Sequence, residues 1–236
     1  MDLAAAQALI RFGLGRRGTE APPADPRAWL LGQLRAPDPW HFPAAPTTAD
    51  GLRAVRTDRR ARRGPIAQRA AYRADAGAEL ANWLRAAAPF RERLVLLWAN
   101  HFTVSFRHGG VAALAGAFAR EAIRPHVTGR FADMLPAVMR HPAMLIYLDN
   151  VTSIGPDSGA GRRLHRGLNE NLARECLELH TIGRDGGYTQ ADVTSFARIL
   201  TGWSIDRKAD PPGFRFRPFA HELGPGKLMG RRFPPG

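Results

Sequence analysis

Along this chain, apolar positions recur mostly at helical spacing, interrupted at intervals by glycine and proline. Leu3, Ala6, Leu9 and Ile10 open the pattern, and Gly13 and Gly15 end it. Trp29, Leu30 and Leu34 predict a short amphipathic helix over 27–34, which dissolves into Pro37, Pro39, Pro43 and Pro46. A helix is predicted over 66–88. Pro89 suits the first position of the next one, which runs to about His101. Another follows Gly109–Gly110. A third begins near Gly129–Arg130 and ends at His141–Pro142, because a residue before proline is pushed out of the α region. Residues 151–167 read as a loop rich in glycine. Helices over 169–182 and 190–203 come next, the second with Thr189 and Asp192 spaced as a capping box. Past Ile205, Phe214, Phe216 and Phe219 alternate with Arg215 and Arg217, a strand-like pattern. The fold class expected is mainly α, a multi-helix globular domain with one small β-hairpin near the C-terminus.

Composition narrows the class. With 44% hydrophobic and 23% charged residues, the chain can bury a core, which excludes wholesale disorder. A lone cysteine, Cys176, excludes a disulfide framework and a cysteine-based zinc site. No run approaches the roughly 20 apolar residues of a membrane span. Arg11, Arg16 and Arg17 follow the first apolar segment instead of preceding it, unlike a secretory signal. A soluble, cytoplasmic protein is expected.

Charge adds a second theme. The net charge is +13, and arginine supplies all but Lys208 and Lys227 of the 34 basic residues. Beside the heavy use of Ala, Gly and Pro, that skew fits the codon bias of a GC-rich genome more than selection for phosphate contacts. The charge is concentrated, however: eight arginines and one acid, Asp58, lie between Arg53 and Arg73. Residues 50–65 are expected to form a basic, flexible insertion in a single helical domain spanning 1–236. Arg59, Arg60, Arg62 and Arg63 are its candidate anion-binding residues, for nucleic acid or an anionic membrane surface.

Polar residues in apolar stripes supply the other candidates. On a helix over 169–182, Leu168, Leu172, Cys176, Leu179 and Ile182 share one face, with Glu175 inside it. Asn171 and Glu178 border one edge of that face and His180 lies on the other flank. A carboxylate facing a core must be paired, hydrogen-bonded or metal-bound. Either an arginine from another helix neutralises Glu175 and Glu178, or they form a cation or acid–base site. The helix from Pro89 raises the same question, since His101 falls beside Leu94, Leu97 and Trp98, next to Asn100. That helix is apolar almost all round, so a central position is expected. His221 is a further candidate, and His141 is read as a cap of the helix before it. The 184–192 segment lacks the alternating ligands of a calcium loop, and Gly13–Leu14–Gly15 forms no phosphate-binding motif.

Several of these segments together resemble a known family. Asn169-Glu-Asn-Leu-Ala-Arg-Glu-Cys-Leu-Glu-Leu-His-Thr-Ile-Gly183, then Gly187-Tyr-Thr-Gln-Ala-Asp192 and Thr201-Gly-Trp203, resemble the central signature of the bacterial family called domain of unknown function 1800. Trp98-Ala-Asn-His-Phe102, His141-Pro-Ala-Met-Leu-Ile-Tyr-Leu-Asp-Asn150, Leu9 to Gly15, and His221 to Gly230 look like its flanking pieces. The resemblance implies a helical fold and supplies no activity. It also implies that relatives continue with further helices, so a missing C-terminal portion of the same fold is the partner expected for exposed aromatics between Trp203 and Phe233.

Two functions follow as expectations. The first is a buried cluster of Asn100, His101, Asn171, Glu175, Glu178 and His180 that binds a divalent metal or small ligand, as an enzyme or otherwise, with His101, Glu175 and Glu178 as the metal ligands. The second is an interaction protein whose arginine-rich stretch binds an anionic polymer or surface, the inner cluster being structural.

Overall fold

The computed structural model describes residues 2–18, 20–40, 44–62, 64–164 and 167–234. Within them the chain is mainly helical, with two small antiparallel hairpins near the C-terminus. In order, the helices are α1 (Leu3–Gln7), α2 (Pro26–Arg35), α3 (Thr48–Ala61), α4 (Ile66–Arg85), α5 (Pro89–His101) and α6 (Ala115–Phe118). Then come α7 (Phe131–Arg140), α8 (Pro142–Tyr147), α9 (Gly159–Leu164), α10 (Asn171–Glu175) and α11 (Gln190–Leu200). Strands β1 (Trp203–Asp206) and β2 (Gly213–Phe216) pair with Trp203 opposite Phe216, and β3 (Gly226–Leu228) pairs with β4 (Arg231–Phe233). The second hairpin had no alternating apolar pattern to announce it.

The core gathers around α8. Pro142, Ala143, Met144, Leu145 and Ile146 are all buried, against Phe102, Leu114, Phe118, Ile123, Met134, Val138, Leu172 and Leu200. That central place was expected for α5, but its Leu96 and Leu97 are exposed and it buries Arg91, Glu92 and Val95 instead. His141 caps the helix before it, as expected, its N–H donating to the Val138 carbonyl at 3.2 Å, and it also begins α8, where its Nδ1 accepts from the Ala143 N–H at 3.1 Å.

Most of the basic stretch is helix α3, where a flexible insertion had been expected. Thr47 and Asp50 form a capping box at its start, and Leu52 and Val55 are buried on its inner side. Asp58 faces inward too, accepting from the N–H groups of Ala67 and Gln68 at 2.8 and 3.0 Å to start α4. Gly51 lets α3 approach the 111–114 turn, because a Cβ there would overlap the Ala113 carbonyl oxygen. Gly51→Ala is therefore expected to cost about 1–3 kcal/mol, read as a lower urea midpoint at unchanged slope; an unchanged midpoint would show that α3 is not docked there.

Candidate anion-binding site

Helix phase decides where the expected polar cluster goes. In α10 and the π-helical turn after it (Cys176–His180), the buried residues are Leu172, Ala173, Cys176, Leu177 and His180. This face is turned by roughly 90° from the one centred on Leu172 and Leu179. Leu179 and Ile182 are accordingly 60% and 42% exposed, and Glu175 lies at the margin of the core instead of inside it. Glu178 takes the Arg174 guanidinium at 3.5 Å, an ordinary pair one turn apart. Burial and the neighbouring Glu178 together push the Glu175 carboxyl up.

Three members of the cluster expected to be buried, Asn100, His101 and Asn171, are exposed. His101 does approach His180, with its Nε2 3.1 Å from the His180 carbonyl oxygen. Among the described residues no three His, Cys, Asp or Glu side chains converge to hold a metal ion, so His101, Glu175 and Glu178 do not form the expected trio. Cys176 is buried against Met139, with its thiol pushed up to about 12 by burial, which removes it as a nucleophile at neutral pH.

The inward-facing carboxylate that arginine neutralises is Glu92, on α5. Arg124 grips it with two nitrogens at 2.8 and 2.5 Å, and Asn82 donates to it at 2.7 Å. The Trp40 ring lies 4.7 Å from the Arg124 guanidinium carbon, and Arg120 beside it pairs with Asp75 and Glu79. This is an arginine–carboxylate network in which both guanidiniums are taken up by carboxylates.

The basic surface is matched poorly by comparison. Helix α3 ends beside the β1–β2 hairpin, where Arg56 donates to the Arg207 carbonyl at 3.1 Å. Arg53 is neutralised by Asp50 and Asp210 at 3.0 and 2.7 Å, and Arg215 by Asp206 at 2.5 Å. Arg59, Arg207 and Arg217 have no carboxylate within 4 Å among the described residues. Burial, reinforced by the positive charges of Arg59 and Arg217, pushes the Arg207 guanidinium down from its ordinary value. Its Nε is buried without a hydrogen-bond acceptor among the described residues. Arg207 and Arg217 line a cleft of about 600 Å³ with Lys208, Arg215, Phe216 and Phe219. Arg59, Arg60 and Arg62 stand exposed on the adjoining helix end, where the helix dipole favours cations; Arg63 lies outside the described residues.

The sequence singled out Arg59, Arg60 and Arg62 but missed Arg207, whose proximity to them depends on the hairpin folding back across some 150 residues of chain. A second cleft, between α11 and the segment 221–226, is walled by Trp203, Phe216, Ile199 and His221. His221 Nδ1 lies 2.8 Å from the Thr201 carbonyl oxygen there. That wall is mainly apolar and lacks the cluster of cations that lines the first cleft.

The family model described as protein of unknown function (DUF1800) matches residues 7–236 of the chain. No curated protein and no solved structure matches it.

Proposed function

This protein belongs to the DUF1800 family, whose description assigns no activity, and we propose from its own geometry that it is a binding protein for phosphate-bearing polymers. The face responsible is the C-terminal half of α3 with the β1–β2 hairpin. The observation that carries the reading is Arg207, which lines the cleft with Arg217, has its Nε buried without an acceptor and has no carboxylate within 4 Å among the described residues. Like charges gathered at a partly desolvated spot are costly, and an anion that settles among them relieves that cost. The alternative, a divalent cation at His101, Glu175 and Glu178, has less support because His101 is exposed and Glu178 is already engaged by Arg174. No helix of the described residues is long and apolar enough to cross a membrane. A cytoplasmic location, where nucleic acid is abundant, is part of the proposal.

The test is fluorescence anisotropy with labelled 20-nucleotide DNA, single-stranded and duplex. Binding is expected at 50 mM salt. With three phosphates neutralised, duplex affinity should fall about 40-fold by 200 mM, a logarithmic slope near −0.9 per phosphate. Arg207→Glu should weaken it further at either salt. Failure of both DNA forms to bind at 50 mM, or binding that ignores salt, would overturn the proposal.

A further inference from the structure

The arginine-lined cleft carries an aromatic group that charge binding does not need. Phe219 is 61% exposed and lines the same cleft as Arg207, Lys208 and Arg217. No aromatic ring of the described residues pairs with it, unlike Phe214 against Trp203 or Phe216 against His221. It is nevertheless held in place. Phe219 sits in a tight turn, Pro218–Ala220, closed by the Ala220 and His221 N–H groups donating to Arg217 and Pro218 carbonyls at 3.0 and 3.1 Å. The Ala220 carbonyl in turn accepts from the Gly155 N–H at 3.0 Å. The ring rests against Gly159, where any Cβ would overlap it, so this contact depends on the missing side chain.

A fixed, exposed ring beside unmatched guanidiniums is what a flexible strand with bases on a phosphate backbone requires. Such a strand would set its phosphates against Arg207 and Arg217 and an unpaired base on the ring. A duplex keeps its bases stacked internally and offers no free face, and a sulfated polysaccharide has no aromatic group at all. We propose that the cleft binds single-stranded nucleic acid, with Phe219 as the stacking platform and Arg207 and Arg217 as the phosphate contacts. This inference rests on the polyanion reading above and narrows it to one class of polymer.

The experiment compares the full chain with Phe219→Ala, Phe219→Trp and Arg207→Gln, using a labelled 12-nucleotide oligo-dT, a 12-base-pair duplex and heparin. On charge alone the duplex, with its denser phosphates, would bind more tightly than the single strand. The expected result is the reverse order. Phe219→Ala should lose about tenfold on oligo-dT and nothing on duplex or heparin, and Phe219→Trp should restore binding with quenching of the new indole fluorescence. Arg207→Gln should weaken all three. Because Phe219 is exposed, its variants should melt with the parent, which circular dichroism checks. If duplex or heparin binds as tightly as oligo-dT, or Phe219→Ala binds oligo-dT unchanged, the single-strand inference falls while polyanion binding stands. If no polymer binds, both fall together.

Discussion

Arg124→Ala is expected to lower the free energy of unfolding by about 3–5 kcal/mol, the largest effect of any single substitution proposed for this chain. Glu92 is 1% exposed, and Arg124 is its cation, held through two nitrogens. Removing the guanidinium leaves a buried carboxylate with only the Asn82 amide, and also removes the nearer of the two guanidiniums, Arg124 and Arg120, over the Trp40 ring. Asp38, 3.3 Å from Arg124 and partly exposed, would lose its partner at smaller cost because water can replace it. The pair as such is a weaker source of stability than its rupture suggests. Replacing both charges by apolar residues of similar size, Glu92→Leu with Arg124→Met, should recover most of the loss. Urea denaturation reads both, as shifts in midpoint at constant slope. A cost below about 1 kcal/mol for Arg124→Ala would show that the pair is solvated in solution.

That network also shows where sequence reasoning reached its limit. Glu92 and Arg124 lie on segments predicted as helices, and α5 itself begins at Pro89 and ends at His101 as its spacing implies. Boundaries set by proline, glycine and caps were legible because each acts through its own backbone: Pro142 starting α8, and Thr189 with Asp192 capping α11. Which face of a helix points inward is a different matter when two apolar arcs overlap. Leu172 and Cys176 belong to both candidate arcs of the 169–182 segment. The choice falls to Ala173 and Leu177, which pack inward, over Leu179 and Ile182, which do not. The π-helical turn at Cys176–His180 adds residues per turn and shifts the phase further. Glu175 therefore looked buried in projection and lies at the margin in space.

The basic face was legible in part for the same reason. Eight arginines in 21 residues are visible to simple counting, and so is the alternation of Phe and Arg after Gly213. Reading the run as flexible overlooked that Leu52, Val55 and Asp58 recur at helical spacing within it, with a capping box at Thr47 and Asp50. Nothing local announces that Arg207 lies against the end of α3, where Arg56 reaches its carbonyl, since that contact is made by tertiary packing of α3 against the hairpin. Internally matched charges, as at Glu92 and Arg124, serve the fold. Arg59, Arg207 and Arg217 have no such carboxylate partner among the described residues, which is what the proposed binding face rests on.

Acid is expected to weaken the fold between pH 6.5 and about 4, before most carboxylates titrate, through His180. The ring is 5% exposed, next to Phe102, and its Nδ1 has no hydrogen-bond partner among the described residues. Burial, and then the positive charge of His101, pull it down from 6.5 to about 4. A histidine held neutral by the folded state binds its proton more readily when unfolded. Its contribution is complete above pH 6.5 and is lost as pH falls toward its folded value, by about 3 kcal/mol in all. His141, at the start of α8 and pulled down by burial against the opposing pull of Glu121, acts in the same direction. The groups that oppose this in the same range are carboxyls pushed up by burial, Glu79 and Glu175, whose protonation favours the fold. The hydrogen-bonded carboxylates held low, such as Asp58 and Asp192, act only at lower pH. His180→Gln removes the proton site and should flatten the dependence of the urea midpoint between pH 6.5 and 4.5, whatever it does to stability at pH 7. An equally steep dependence in His180→Gln would assign the acid sensitivity to His141, and would mean that His180 is hydrated and titrates near its ordinary value in the folded protein.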